Sequence, residues 1–137
     1  MQSVTTPFDA GTLQRLDRSL RNAHLAFEVE LFEVVLSHRP DDVEALEALG
    51  MAYTQRGEFE RGLGVDRRLA ELRPQNPRIH YNLACSYALV GDVDLAIASL
   101  ERAIELGYDD VEHLERDRDL DPIRHDRRFQ ELVRKIA

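Results

Sequence analysis

Side chains able to do chemistry are few and scattered along the 137 residues. Histidine stands at His24, His38, His80, His113 and His125, and none falls in an H-E-x-x-H pattern or pairs with cysteine at zinc-ligand spacing. Three residues beyond His113 comes Arg116, a cation where a second metal ligand would have to sit. His80 reads as a packed side chain. The single cysteine, Cys85, has no internal disulfide partner and no basic neighbour in sequence to make it a thiolate, so it reads as a small apolar residue. No glycine pattern cradles a phosphate, and the acidic-basic run Glu115–Asp119 lacks the turn glycine of a calcium loop. That run reads as a solvated helix end. No nucleophile, base and orienting group can be named together, so the expectation is no enzyme, no cofactor and no metal. Arg78 and Asn82 lie four apart, a spacing that places them on one face of a helix, within reach of one carboxylate.

The balance of residue types narrows the partner. Eighteen basic against 26 acidic residues give a formal net charge of −8, a poor footing for neutralising nucleic-acid phosphates. Apolar residues make up 43% and charged residues 32%, the balance of a folded domain. No run approaches the length of a membrane span, and Met1–Gly11 lacks the basic-then-apolar order of a secretory leader. With its lone cysteine, the chain reads as cytoplasmic. All basic residues but Lys135 are arginine, which reads as the codon bias of a GC-rich, bacterial genome.

The elements that must position these residues are helices, because no run alternates apolar and polar residues over strand length. Asp41 or Asp42 caps a helix that Gly57 ends; a second runs from about Phe59 to Leu72 and stops at Pro74. Asn76 caps the next, with Pro77 at its first position and Gly91 at its end. Asp92 caps a fourth, which Gly107 ends. The two helix pairs repeat at an offset of 34 residues: Leu49 matches Leu83, Gly50 matches Ala84, Tyr53 matches Tyr87 and Gly57 matches Gly91. Small residues at Gly50, Ala84, Ala96 and Ala103 let paired helices approach closely, and Tyr53 and Tyr87 fill the wedge between one pair and the next. One pair cannot bury its apolar face alone, so pairs must stack.

Residues 43–76 and 77–110 together resemble the tetratricopeptide repeat. The second copy carries Leu83-Ala84, Tyr87, Gly91, Ala96, Leu100 and Ala103 at the expected places; the first departs at Gly62, where alanine is usual, and at Asp66, where a large apolar residue is usual. The resemblance implies an all-α, right-handed solenoid of antiparallel helix pairs forming a single domain. Residues 9–42 read as a degenerate repeat, Asp9–Leu20 and Ala23–Ser37 with a break at Asn22, against which stands one longer unbroken helix. Residues 111–137 resemble the segment that closes bacterial arrays of this kind. There Asp121 caps a short turn begun by Pro122, and Asp126 caps a last helix whose Phe129, Leu132, Val133 and Ile136 share a face.

The resemblance also implies that function lies on the concave face made by the first helix of each pair. Carried over residue by residue, that face takes Glu44, Glu47, Met51, Thr54 and Gln55 from the first copy. The second copy supplies Arg78, Tyr81, Cys85, Ala88 and Leu89, with Asn82 at a position that in some family members bonds a bound peptide. Glu47 and Met51 stand where chaperone-binding members need Lys and Asn, so an acidic chaperone tail is not the expected ligand. Net charge is −3 over residues 1–42, −1 over 43–76, −4 over 77–110 and zero over 111–137, which favours a neutral or basic peptide. The expectation is a module that binds a peptide or helix of another protein in its groove. The alternative is a self-associating scaffold, a homo-oligomer built through the apolar stretch Leu25–Leu36.

Overall fold

A computed structural model describes residues 9–137; for residues 1–8 the expectation about a leader lies outside what is described. The described residues are helical, with no strand among them. Helix α1 spans Ala10–His38, α2 Val43–Gln55, α3 Phe59–Leu72, α4 Pro77–Leu89 and α5 Val93–Glu105. After them come a short α6 at Val111–Arg116, a 3-10 segment at Arg118–Ile123 and α7 at Arg127–Ile136. α2 packs on α3, α3 on α4 and α4 on α5, so α2–α3 and α4–α5 stack as two hairpins of a solenoid.

The repeat is visible in the hydrogen bonds that end each helix. At Gly57, with φ +76°, the N–H of Glu58 reaches back to the Tyr53 carbonyl at 2.9 Å. At Gly91, with φ +86°, the N–H of Asp92 reaches the Tyr87 carbonyl at 2.9 Å. These are paired Schellman closures, and the left-handed backbone is the reason for glycine. The caps repeat as well. Asp42 accepts from the N–H of Ala45, and Asn76 accepts from those of Arg78 and Ile79.

The break expected at Asn22 does not occur. Residues 10–38 form one continuous helix, because nothing in Arg21-Asn22-Ala23 supplies the positive-φ glycine that turns the chain at residues 57 and 91. Only the second half of α1 behaves as the second helix of a pair. Val29, with Leu25, Phe32 and Leu36, packs on Leu49, Ala52 and Tyr53 of α2. Its end repeats that of α3: Arg39 N–H bonds to Val35 and Arg73 N–H to Leu69, each at 2.8 Å.

The largest cluster of buried side chains lies between α4, α5 and the closing segment. It joins Ala84, Ala88, Ala96 and Ala103, small enough for the α4–α5 pair to close, to Leu100, Leu114, Leu120, Ile123 and Phe129. The 3-10 segment is capped by Asp117, whose carboxylate accepts from the N–H of Asp119 at 3.0 Å; the expected cap, Asp121, lies inside the segment. Asp126 caps α7 as its sequence indicates. Arg124 ties the closing segment together, donating to the backbone carbonyls of Glu115 at 2.7 Å and Asp117 at 2.6 Å. His80 is half-buried and its Nε2 lies 2.8 Å from the Pro74 carbonyl, which makes it a partner of the turn between the pairs.

Candidate functional site

The first helices of the two pairs, α2 and α4, form one wall of a cleft of about 610 Å³, and the closing segment forms its end. Ten of the eleven positions expected on the concave face line this cleft: Glu44, Glu47, Met51, Thr54 and Gln55 from α2, with Arg78, Tyr81, Asn82, Cys85 and Leu89 from α4. Ala88 does not. It is 1% exposed and belongs to the α4–α5 core, because the solenoid's curvature turns that side of α4 towards its pair.

Five polar residues that the sequence did not indicate also reach the cleft: Asp66 and Ser86 at its floor, and His113, Asp117 and Asp119 at its closed end. The Glu115–Asp119 run is therefore not simply a solvated helix end. Asp117 Oδ2 accepts the Tyr81 hydroxyl at 2.6 Å, and the Cys85 thiol donates to the same oxygen at 3.7 Å. His113 Nε2 lies 3.4 Å from it. Tyr81 in turn stacks on Tyr108, with ring centroids 4.3 Å apart and nearly parallel planes. A fold-back of the closing segment onto α4 brings these residues together across more than thirty positions of sequence, which no local pattern encodes.

The electrostatics follow from burial. Cys85 is held well above the ordinary thiol range, first by burial and then by the charges of Asp117 and Asp119, which favours the protonated thiol. Tyr81 is raised by burial and by its anionic neighbours. Asp119 is raised by burial and by Asp117 and Asp121. Asp66 is pushed up to about 6, mainly by burial; the Ser86 hydroxyl bonded to its carboxylate opposes the shift and Glu47 adds to it. Gly50 makes room for that carboxylate: a Cβ there would lie 3.3 Å from Asp66 Oδ1.

Arg78 is the single Lys or Arg among the described residues that line the cleft, and its guanidinium is already committed. It donates to Glu47 Oε1 at 2.7 Å, joining α4 to α2 across the cleft mouth. In the structure Arg78 therefore faces Glu47 of its own chain, and an incoming carboxylate would have to compete with that exposed ion pair for the guanidinium. Among the described residues no three His, Cys, Asp or Glu side chains are grouped to hold a metal ion.

Two family models described as tetratricopeptide repeat match the chain, one over residues 13–77 and the other over 77–107. The chain belongs to the tetratricopeptide repeat family. This fold is a protein-interaction fold, and the chain is in that sense a protein-interaction module. A curated relative, the peroxisomal targeting signal receptor of Pichia angusta, is 37% identical over 99 residues, 72% of this chain and 17% of the receptor. The receptor of Komagataella phaffii is 34% identical over 111 residues, 77% of this chain and 19% of the receptor. A chloroplastic protein of Arabidopsis thaliana is 26% identical over 90 residues, 64% of this chain and 27% of that protein. The tetratricopeptide chain thus spans less than a third of the length of the curated relatives it matches. Among solved structures, MamA MSR-1 C2 superposes with a TM-score of 0.61 at 20% identity, over 86% of this chain and 72% of the other. MamA RS-1 ArsTM double mutant gives 0.63 at 20% identity, over 93% and 76%. That likeness shows the helix-pair solenoid. Among the described residues no helix is long and apolar enough to cross a membrane.

Proposed function

We propose that the cleft holds a segment of a partner protein that presents a basic side chain, and that the module performs no reaction on it. One observation carries this reading: Glu44, Glu47, Asp66, Asp117 and Asp119 line the cleft against Arg78 alone among Lys and Arg, and Arg78 is neutralised by Glu47. An incoming lysine or arginine would meet a lining in which carboxylates outnumber the one Lys or Arg, whereas an acidic side chain would meet repulsion. Met51, 64% exposed, and Leu89 give the segment an apolar surface, and the Asn82 amide offers both a donor and an acceptor to its backbone. Relatives named as receptors for a targeting signal support a peptide-sized ligand. The arginine-rich composition and the single cysteine, which has no partner for an internal disulfide, favour the bacterial cytoplasm as the setting.

Panning a random peptide library against the purified chain tests this. Enriched peptides should carry Lys or Arg, lose affinity as salt rises, and fail to bind Glu44→Lys or Met51→Glu protein. Enrichment of acidic peptides, or binding indifferent to both substitutions, would refute the reading.

A further inference from the structure

Helix α1 has two apolar faces, and the described residues of its own chain cover one of them. Leu25, Val29, Phe32 and Leu36 pack on α2. On the opposite side Leu13, Leu16, Leu20, Phe27, Leu31 and Val34 form a second stripe at helical spacing, each between 45% and 69% exposed. Such a stripe, repeated every three to four residues over the whole helix, is the pattern of a helix that packs on both sides. The first half of α1 has no buried residue at all, since Val29 is the single buried residue of the helix. A helical arm of some fifteen residues without tertiary contact is marginal in water.

The spacing of the stripe says what lies on it. If two copies of α1 run antiparallel about a two-fold axis between Ala23 and His24, Leu13 comes level with Val34, Leu16 with Leu31 and Leu20 with Phe27. All three pairs satisfy the same axis. Ala23 sits at that axis on the stripe side, where a small residue lets the helices approach. Charge agrees with this orientation and opposes the parallel one. The arm carries Arg15, Arg18 and Arg21 against Asp17, whereas the second half carries Glu28, Glu30 and Glu33 with no Lys or Arg. Antiparallel pairing sets the basic arm beside Glu28 and Glu30 of the other copy, Glu33 being held by the Tyr53 hydroxyl of its own chain; parallel pairing sets like on like.

We infer that two copies of this chain exchange the arms of α1, each arm lying along Phe27, Leu31 and Val34 of the other copy. The family match begins at residue 13, within the arm. The arm of one copy therefore supplies the antiparallel neighbour that a folded-back first helix would have supplied, which is the logic of a domain swap. The contact is isologous and leaves the cleft, on the far side of α2, open in each copy.

Light scattering behind a sizing column, over a concentration series, reads the mass directly. The chain should run at twice its 15.8 kDa mass, and Leu20→Glu with Phe27→Glu should halve it while the far-ultraviolet circular dichroism keeps its helical form and the cleft still binds its peptides. A monomeric mass for the unsubstituted chain overturns the inference, as does a larger assembly that the double substitution leaves intact. Register is read separately in a Cys85→Ala background. Leu20→Cys together with Phe27→Cys should give a covalent dimer on a non-reducing gel under mild oxidant, and Leu20→Cys alone should not. An intrachain disulfide, showing the arm folded on its own chain, or equal cross-linking by Leu20→Cys alone, showing parallel helices, overturns it.

Discussion

The Tyr81 hydroxyl donates a hydrogen bond to Asp117 Oδ2 at 2.6 Å, and the same carboxylate caps the 3-10 segment by accepting from the N–H of Asp119. One side chain thus fixes the closing segment against the concave side of α4 and sets the end of the cleft. Tyr81→Phe removes a hydrogen bond to a carboxylate and should cost about 1.5–3 kcal/mol. Asp117→Ala removes the helix cap as well, and its chemical-denaturation midpoint should fall further than that of Tyr81→Phe. Equal midpoints for the two variants would mean that the cap contributes nothing.

Arg124 is the second tie. Its planar fork donates to the carbonyls of Glu115 and Asp117 while it lies over the Phe129 ring, 5.6 Å from the centroid. Lysine cannot reach both carbonyls from one flat group. Arg124→Lys should therefore destabilise the closing segment by on the order of 1–2 kcal/mol, and hydrogen exchange should quicken in 111–126 before it does in α2 or α3.

Asp66 makes stability depend on pH. Its carboxyl titrates at about 6 in the folded chain, against about 3.9 for a free aspartate, so the folded state holds the proton more tightly than the unfolded one. Stability contributed by this group is then greatest below the unfolded value and falls as pH rises through about 6; the loss is on the order of 1–3 kcal/mol. Asp66→Asn keeps a side-chain oxygen for Ser86 and removes the titration. It should be more stable than the parent at pH 7.5 and should flatten the curve of melting temperature between pH 4 and pH 7. A parent curve that rises across that interval through this residue would reverse the sign of the argument.

Two glycines of one helix pair should respond oppositely. Gly64 lies in the exposed interior of α3 with nothing within 4 Å of a built Cβ, so Gly64→Ala should stabilise by about 0.5–1 kcal/mol through helix propensity alone. At Gly50 the same Cβ would stand 3.2 Å from Val65 Cγ1 and 3.3 Å from Asp66 Oδ1, a carboxylate pinned by Ser86. Gly50→Ala should cost about 1 kcal/mol or more despite the propensity gain. Urea midpoints of the two proteins, read side by side, check the pair.

The helix ends were legible because the signals are local. Asp42, Asn76 and Asp92 cap through their own side chains, and Gly57 and Gly91 turn the chain through their own backbone. The ten cleft positions were legible because a repeat that recurs every 34 residues places equivalent residues on equivalent faces. Asn22 misled because a polar residue in a helix marks a break only when the chain has somewhere to turn, and here no glycine provides it.

Sequence alone therefore determined the helical class, the stacking of pairs and the wall of the cleft, since periodicity and capping act within a few residues. Tertiary structure decided the rest. The pairing of Arg78 with Glu47 joins α4 to α2 across the cleft mouth, and the union of Tyr81 with Asp117 gives that cleft its closed end. Both contacts join residues more than thirty positions apart, and their partners are chosen by how the helices stack in space.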